Sequence, residues 1–175
     1  MHLKVKKLYE DAVVPTRAYP FDSGLDLYAY LEEEIKLLPG ERYCVPTGIC
    51  VELPPPQKPN YLTRLLRSLL GLEKFLTVYE GQIRPKSGLA NDYGLGIVNS
   101  PGTIDYGFTG ELKAVVLNTS SNELIRIKPG QKIAQFVVCS VVILDVLVAE
   151  ELSKTDRQSK GWGSSGLYKV AGAKQ

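Results

Sequence analysis

Asn99-Ser-Pro-Gly-Thr-Ile-Asp105-Tyr-Gly-Phe108-Thr-Gly-Glu111 is the stretch on which the reading of this chain turns. It places three glycines, a proline and a lone acid, Asp105, between two runs that read as strands. Glycine and proline punctuation between strand signals predicts a hairpin, the building unit of an antiparallel β fold. The backbone of such a segment can approach a ligand closely, and Asp105 stands where its carboxylate can face that ligand. The other reading of Asp105 is a turn aspartate that bonds its own backbone. The chain has one histidine, His2, near the start of the sequence. A general base working at neutral pH therefore has to be a carboxylate, and Asp105 is the best-placed candidate.

Outward from that stretch, most segments read as short strands. Residues 3–8 alternate roughly, and residues 43–51, 81–84, 112–117, 124–127 and 133–148 are rich in β-branched and aromatic side chains. Pro39-Gly40, Pro46-Thr-Gly48, Ser120-Ser-Asn122 and Pro129-Gly130 separate them. Many short strands with regular turn signals predict an all-β sandwich, jelly roll or barrel. Pro39-Gly-Glu-Arg and Lys128-Pro-Gly-Gln-Lys read as two versions of one turn. Two segments depart from this pattern. Residues 60–76 carry apolar side chains at 62, 65, 66, 69 and 76, a helical spacing, after the rigid lead-in Pro54-Pro-Pro. The tail from Ser153 is polar and glycine-rich, yet it holds the only tryptophan, Trp162. A tryptophan in such a tail stacks either on a ligand or on its own domain or a neighbour.

At 175 residues the chain is long enough for one domain with a real core. A net charge of +2 does not argue for nucleic acid or a lipid surface. The three cysteines, Cys44, Cys50 and Cys139, form no C-x-x-C pair and sit in strand-like runs. They are expected to be reduced core thiols, which implies the cytoplasm. No apolar leader and no bilayer-spanning stretch is read. A zinc site of the His/Cys type is not expected, the zinc-deaminase signature is missing, and neither a P-loop nor a G-x-S-x-G elbow occurs. No internal repeat is found.

Arg84-Pro-Lys86-Ser87-Gly88-Leu89-Ala90 gathers a cation, a hydroxyl and a glycine amide in one turn, with a short helix expected from Ser87. Such a group can cradle an anion, although basic-Ser-Gly triplets also occur in plain loops. Gln135 falls on a strand, where a solvated face is the ordinary outcome. Arg157 precedes Trp162 by five residues and can bring a cation to whatever that ring covers.

In order and spacing these pieces resemble the trimeric dUTPase family. Five motifs match: Ser23-Gly-Leu-Asp26-Leu27, residues 84–90, Gly102-x-Ile104-Asp105-x-x-Phe108-x-Gly110, Gly130-x-x-Ile133-Ala134-Gln135, and Arg157-x-x-x-Gly161-Trp162-Gly163-Ser164-Ser165-Gly166. The resemblance covers nearly all of the chain except residues 54–78. It implies a jelly-roll subunit, with residues 1–152 as the domain and 153–175 as a mobile tail, in a homotrimer with three shared active sites. It implies hydrolysis of dUTP to dUMP and pyrophosphate, with Asp105 activating the water that attacks the α-phosphorus. Lys86, Ser87, the Gly88 amide and Gln135 would hold the phosphates. Asn99 would read the uracil edge, with Thr103, Ile104 and Lys113 completing that segment, and Phe108 would lie under the deoxyribose. Arg157, Trp162, Gly163 and Ser164 would close from another subunit as a lid. Mg²⁺ would be held by substrate phosphates and waters without a direct protein ligand, and Asp26 would support the phosphate turn. The chain departs from the family pattern at Lys86, which stands for an arginine, at Phe108, which stands for a tyrosine, and at Gln158 and Lys160, which stand for glycines.

Two rivals remain open at this point. The fragment Ile104-Asp-Tyr-Gly107-Phe108-Thr-Gly110 is nearer to the related dCTP deaminases, as deaminase or as bifunctional enzyme. Those carry a glutamate five residues past the last glycine, where this chain has Val115. The other rival is a non-catalytic trimeric nucleotide-binding module. No membrane or nucleic-acid partner is expected. The 60–76 helix is expected to pack on the protein itself or to await an unknown partner.

Overall fold

The computed structural model describes residues 2–56 and 76–159. Its strands are β1 Lys4–Lys7, β2 Gly24–Tyr28, β3 Ile35–Leu37, β4 Arg42–Glu52, β5 Leu76–Arg84, β6 Leu95–Ile97, β7 Gly102–Ile104, β8 Glu111–Asn118, β9 Ile125–Ile127 and β10 Lys132–Ile143. A short helix, α1 Ser87–Tyr93, follows β5 and ends at Gly94 in the left-handed conformation. Two four-stranded antiparallel sheets form, β1-β4-β8-β6 and β2-β10-β5-β7, beside a two-stranded β3-β9 ribbon. This is the expected all-β, jelly-roll type of architecture. It lies in the compact unit Met1–Leu144, and Asp145 opens a second unit.

The period-2 pattern of each strand sends one face into a shared core. On β8 the buried positions Leu112, Ala114, Val116 and Asn118 alternate with more exposed ones. Leu27, Ile83 and Phe136 from one sheet join Val45, Ile49, Leu112 and Val116 from the other in one cluster. Gly81 belongs to that packing, because a Cβ there would collide with the Phe136 ring.

The Pro39-Gly40 and Pro129-Gly130 turns are built alike, as the sequence predicts. In each, the fourth residue's amide returns to the first residue's carbonyl, Glu41 to Leu38 at 3.0 Å and Gln131 to Lys128 at 3.1 Å. In each, the fourth side chain accepts from the first amide, Glu41 from Leu38 at 2.7 Å and Gln131 from Lys128 at 3.0 Å. Gly40 and Gly130 supply the positive φ, +78° and +73°, that the third position of a type II turn requires.

Three expectations need correction. The 99–111 segment does not form a hairpin, because β7 pairs with β5 while β8 pairs with β4 and β6. Its two arms therefore separate into different sheets. The strand expected over 133–148 stops at Ile143, where its β5 partner begins at Leu76 and the ladder runs out. Cys44 is exposed, since it sits on the outward side of β4 opposite Val115; Cys50 is buried and Cys139 intermediate, and all three are free. The helix predicted over 60–76 lies outside the described residues except for Leu76, which opens β5.

Candidate active site

The turn expected from the sequence to cradle an anion leaves β5 after Arg84 and enters α1 at Ser87. Three strands meet in one row beside it, with Asp26 of β2 opposite Gln135 of β10 and Gln135 opposite Arg84. The neighbouring row, Leu25-Phe136-Ile83, points into the core, so Asp26, Gln135 and Arg84 face the other side. Gln135 Nε2 donates to the Pro85 carbonyl at 2.9 Å, which braces the backbone just before Lys86. Gly24 leaves space for that amide, because a Cβ there would overlap the Gln135 carbonyl oxygen. Arg84 Nε donates to Gln82 Oε1 at 2.9 Å, which holds the guanidinium along β5. Ser87 and Gly88 are exposed at the turn.

Lys86 Nζ donates to Asp26 Oδ1, and Lys132 Nζ lies 2.7 Å from Asp26 Oδ2. Asp26 is only 6% exposed, and each of its oxygens is matched by a cation whose side chain reaches in from solvent. Burial alone would raise the Asp26 carboxyl. The hydrogen bonds and charges of Lys132 and Lys86 outweigh that and hold it below the ordinary aspartate value. Lys132 is raised in turn, mainly by its hydrogen bond to Asp26. The sequence singled out Asp26 and Lys86 but not Lys132. Its presence here depends on a bulge, described below, that strand parity does not reveal.

The second group of candidates lies around β7. Asp105 follows this strand directly and is exposed on a turn in which the Phe108 amide donates to the Asp105 carbonyl at 3.0 Å. The third residue of that turn, Gly107, has φ +93°. A glycine is thus what this turn geometry selects. Asn99 is exposed and its amide lies against Gly102, where a Cβ would come within 3.1 Å of it. Thr103 is exposed, and Ile104 packs against the core. Phe108 folds over Gly110 and is 43% exposed, beside a pocket that also takes Lys4, Pro54 and Pro55. Lys113 is exposed on β8, 3.3 Å from Glu111 Oε2, while Glu111 Oε1 accepts the Gly48 amide at 2.9 Å.

Along the ladder, Asp26 and Asp105 stand far apart within one chain. The row of Asp26, Gln135 and Arg84 reaches β7 at Pro101, because Ile83 pairs with Gly102. Asp105 lies four residues further along and three strands across from Asp26. At about 3.3 Å per residue and about 4.8 Å per strand, the separation is on the order of 19 Å. Arg157 belongs to the second unit. Trp162, Gly163 and Ser164 lie outside the described residues.

A family model described as dUTPase matches residues 76–166, more than half of the chain. The chain belongs to the dUTPase family. A deoxyuridine 5'-triphosphate nucleotidohydrolase of Hydrogenobaculum sp. (strain Y04AAS1) is 42% identical over 167 residues, 95% of this chain and 99% of that one. A Staphylococcus bacteriophage 80alpha dUTPase structure with dUpNHpp aligns with a TM-score of 0.75 at 25% identity, over 95% of this chain and 99% of that one. The dUTPase of phage phi11 of S. aureus, in a structure described as coordinating a structural Mg(II) ion, aligns with a TM-score of 0.67 at 22% identity, over 88% of this chain and all of that one (100%).

Family membership bears on the deaminase rival. In this dUTPase-family chain, Val115 lies within β8 opposite Cys44 of β4. An alkyl group there cannot accept a proton, so the deaminase base is absent from the place where that family carries it.

Proposed function

We propose that this chain hydrolyses dUTP to dUMP and pyrophosphate as a homotrimer whose active sites are shared between subunits. The relatives named dUTP nucleotidohydrolases support the reaction. The observation that carries the shared site is the separation of Asp105 from Asp26, the carboxylate that holds the Lys86 ammonium, along and across the β2-β10-β5-β7 sheet. The α-phosphorus lies only a few ångströms from the neighbouring phosphates of a triphosphate. A base on the order of 19 Å from the Asp26 that holds Lys86 in one chain therefore serves the same substrate as that lysine best when the two come from different subunits.

In this reading Asp105 orients a water and takes its proton as the water oxygen bonds to the α-phosphorus. The bond from that phosphorus to the bridging oxygen breaks, and pyrophosphate leaves. Lys86, Ser87 and the Gly88 amide hold the phosphates, with Gln135 bracing the turn through Pro85. Asn99 reads the uracil edge, Thr103, Ile104 and Lys113 complete that wall, and Phe108 packs beneath the deoxyribose. The tail from residue 153 brings Arg157, Trp162, Gly163 and Ser164 over the substrate of another subunit. Water exclusion by such a lid strengthens every charge contact beneath it.

Mg²⁺ fits this donor set as an ion carried by the triphosphate. Both Asp26 oxygens are engaged by ammonium groups, and the ion would be held by phosphate oxygens and waters, as the family resemblance implies. When bound it supplies neutralisation of the phosphate charge. The cytoplasm, with its dUTP, is the compartment that suits this reading.

The deciding assay measures pyrophosphate release from dUTP beside ammonia release from dCTP. Pyrophosphate from dUTP without ammonia from dCTP is the expected result. Ammonia release would support a deaminase, and binding without either product would support a non-catalytic module.

A further inference from the structure

On β10, Lys132 stands opposite Tyr28 and Gln135 stands opposite Asp26. Residues three apart on a regular strand point to opposite faces. Here the register shifts between Lys132 and Ala134, which pair with Tyr28 and Leu27. The bulge buries both Ile133 and Ala134 and returns Lys132 to the face that carries Gln135 and Asp26. There its ammonium lies 5.9 Å from the centre of the Tyr28 ring and 2.7 Å from Asp26 Oδ2. The Tyr28 hydroxyl is fixed by a 2.6 Å hydrogen bond to Thr16, so the platform beneath Lys132 is itself held.

Lys86 occupies the other Asp26 oxygen. With Lys86 in place Asp26 is 6% exposed, and if Lys86 turns to a triphosphate the carboxylate loses one of its two cations. With no second cation, that buried charge would hold Lys86 back, since an unpaired buried carboxylate is costly. Lys132 binds the opposite oxygen, so its contact is made independently of Lys86.

We propose that Lys132 is a positioning residue for the phosphate turn, keeping Asp26 compensated so that Lys86 is released to the substrate's phosphates. This rests on the reading of residues 84–88 as that turn. Lys132 acts here through Asp26 and does not touch the nucleotide.

The test is steady-state dUTP hydrolysis with Mg²⁺, measured on Lys132→Met, Lys132→Arg, Asp26→Asn and the Asp26→Asn/Lys132→Met double variant, with thermal melting of each. Lys132→Met should raise KM about tenfold with kcat within about twofold, the size of effect expected for coupled charges. Lys132→Arg should keep KM within about threefold of the parent, because it preserves the cation. With Asp26 already neutral, adding Lys132→Met should change KM by less than about twofold. A lower melting temperature in Lys132→Met with unchanged KM overturns the proposal, because it describes a structural ion pair only. An equal rise in KM in the Asp26→Asn background also overturns it, because Lys132 would then touch the substrate. Should Lys132→Met fail to fold, the comparison of Asp26→Asn with the double variant decides by itself: equal KM supports the proposal and a rise refutes it. Lys86→Met is measured alongside. An unchanged KM there refutes the phosphate-turn reading and this proposal with it. A raised KM there with normal Lys132→Met kinetics refutes this proposal alone.

Discussion

Asp105 and Asp26 show how surroundings divide work between two identical side chains. Asp105 is exposed on the turn after β7, free of the core and open to whatever approaches. Asp26 is buried and holds two ammonium groups. A carboxylate so compensated is a poor proton acceptor, which accords with the proposal that Asp105 is the base. Asp105→Asn keeps the size of the side chain and removes its basicity. It should bind a non-hydrolysable dUTP analogue nearly as well as the parent and lower kcat by a factor of about 10² or more. Titration calorimetry beside a pyrophosphate assay checks both halves, and near-normal turnover would put the base elsewhere. Asp26 has a different signature. Its native pKa is depressed, so its contribution to stability is present above the ordinary aspartate value, about 3.9, and is lost as pH falls through the lower native value. The Lys132 pKa is raised, so its share is present below the ordinary lysine value, about 10.4, and is lost as pH rises through the higher native one. The parent should therefore melt above Asp26→Asn at pH 7, and the gap should close towards pH 2. A gap that stays constant with pH would mean that the carboxylate charge is not what stabilises this site.

Among the elements, the end of β8 is tied most densely. Asn118 is fully buried at 0% exposure. Its Nδ2 donates to the Leu37 carbonyl at 2.8 Å and to the Glu123 carbonyl at 2.7 Å. Its Oδ1 accepts from the Ser120 amide at 2.9 Å and from the Ser120 hydroxyl at 2.6 Å. Its backbone also exchanges hydrogen bonds with the Pro39-Gly40 turn. One side chain thus links the ends of β3 and β8 to the turn leading into β9. Asn118→Ala strands buried donors and acceptors and should cost about 2–4 kcal/mol, read by urea denaturation. A loss under about 0.5 kcal/mol would mean that water replaces the amide without penalty. Nothing in the sequence marks Asn118, because its partners come from residues 37, 120 and 123 and only the fold brings them together. What was legible is what local chemistry determines: the alternation of β8, the paired Pro-Gly turns, and the helix beginning at Ser87. The three-residue strands β3 and β6 are too short to display a period. The split of the 99–111 segment between sheets is set by partners far along the chain. In the candidate site, the Lys86 turn and Asp105 could be read locally, whereas Lys132 was hidden by the bulge at residues 132–134.

At the scale of the whole molecule, the order of strands carries a consequence for assembly. The same sheet that holds Lys86 on Asp26, at its β2 edge, holds Asp105 beyond β7 at the other edge. In the proposed trimer, one subunit gives its base to one site and its phosphate turn to another. This makes complementation between two inactive variants the discriminating experiment. Asp105→Asn keeps a working phosphate turn, and Lys86→Met keeps a working base. Each alone should hydrolyse dUTP poorly. In mixed trimers, a site that takes Asp105 from a Lys86→Met subunit and Lys86 from an Asp105→Asn subunit has both groups intact. Random mixing in equal amounts makes about a quarter of all sites intact, so about a quarter of parental activity should return after co-refolding. A chain carrying both substitutions, mixed with itself, supplies the baseline. If base and phosphate turn served the same substrate from within one subunit, every site in the mixture would keep one defect and no activity would return. Recovery to about the expected fraction therefore assigns the two groups to different subunits, and its absence, with sizing that shows mixed trimers formed, would return both to one.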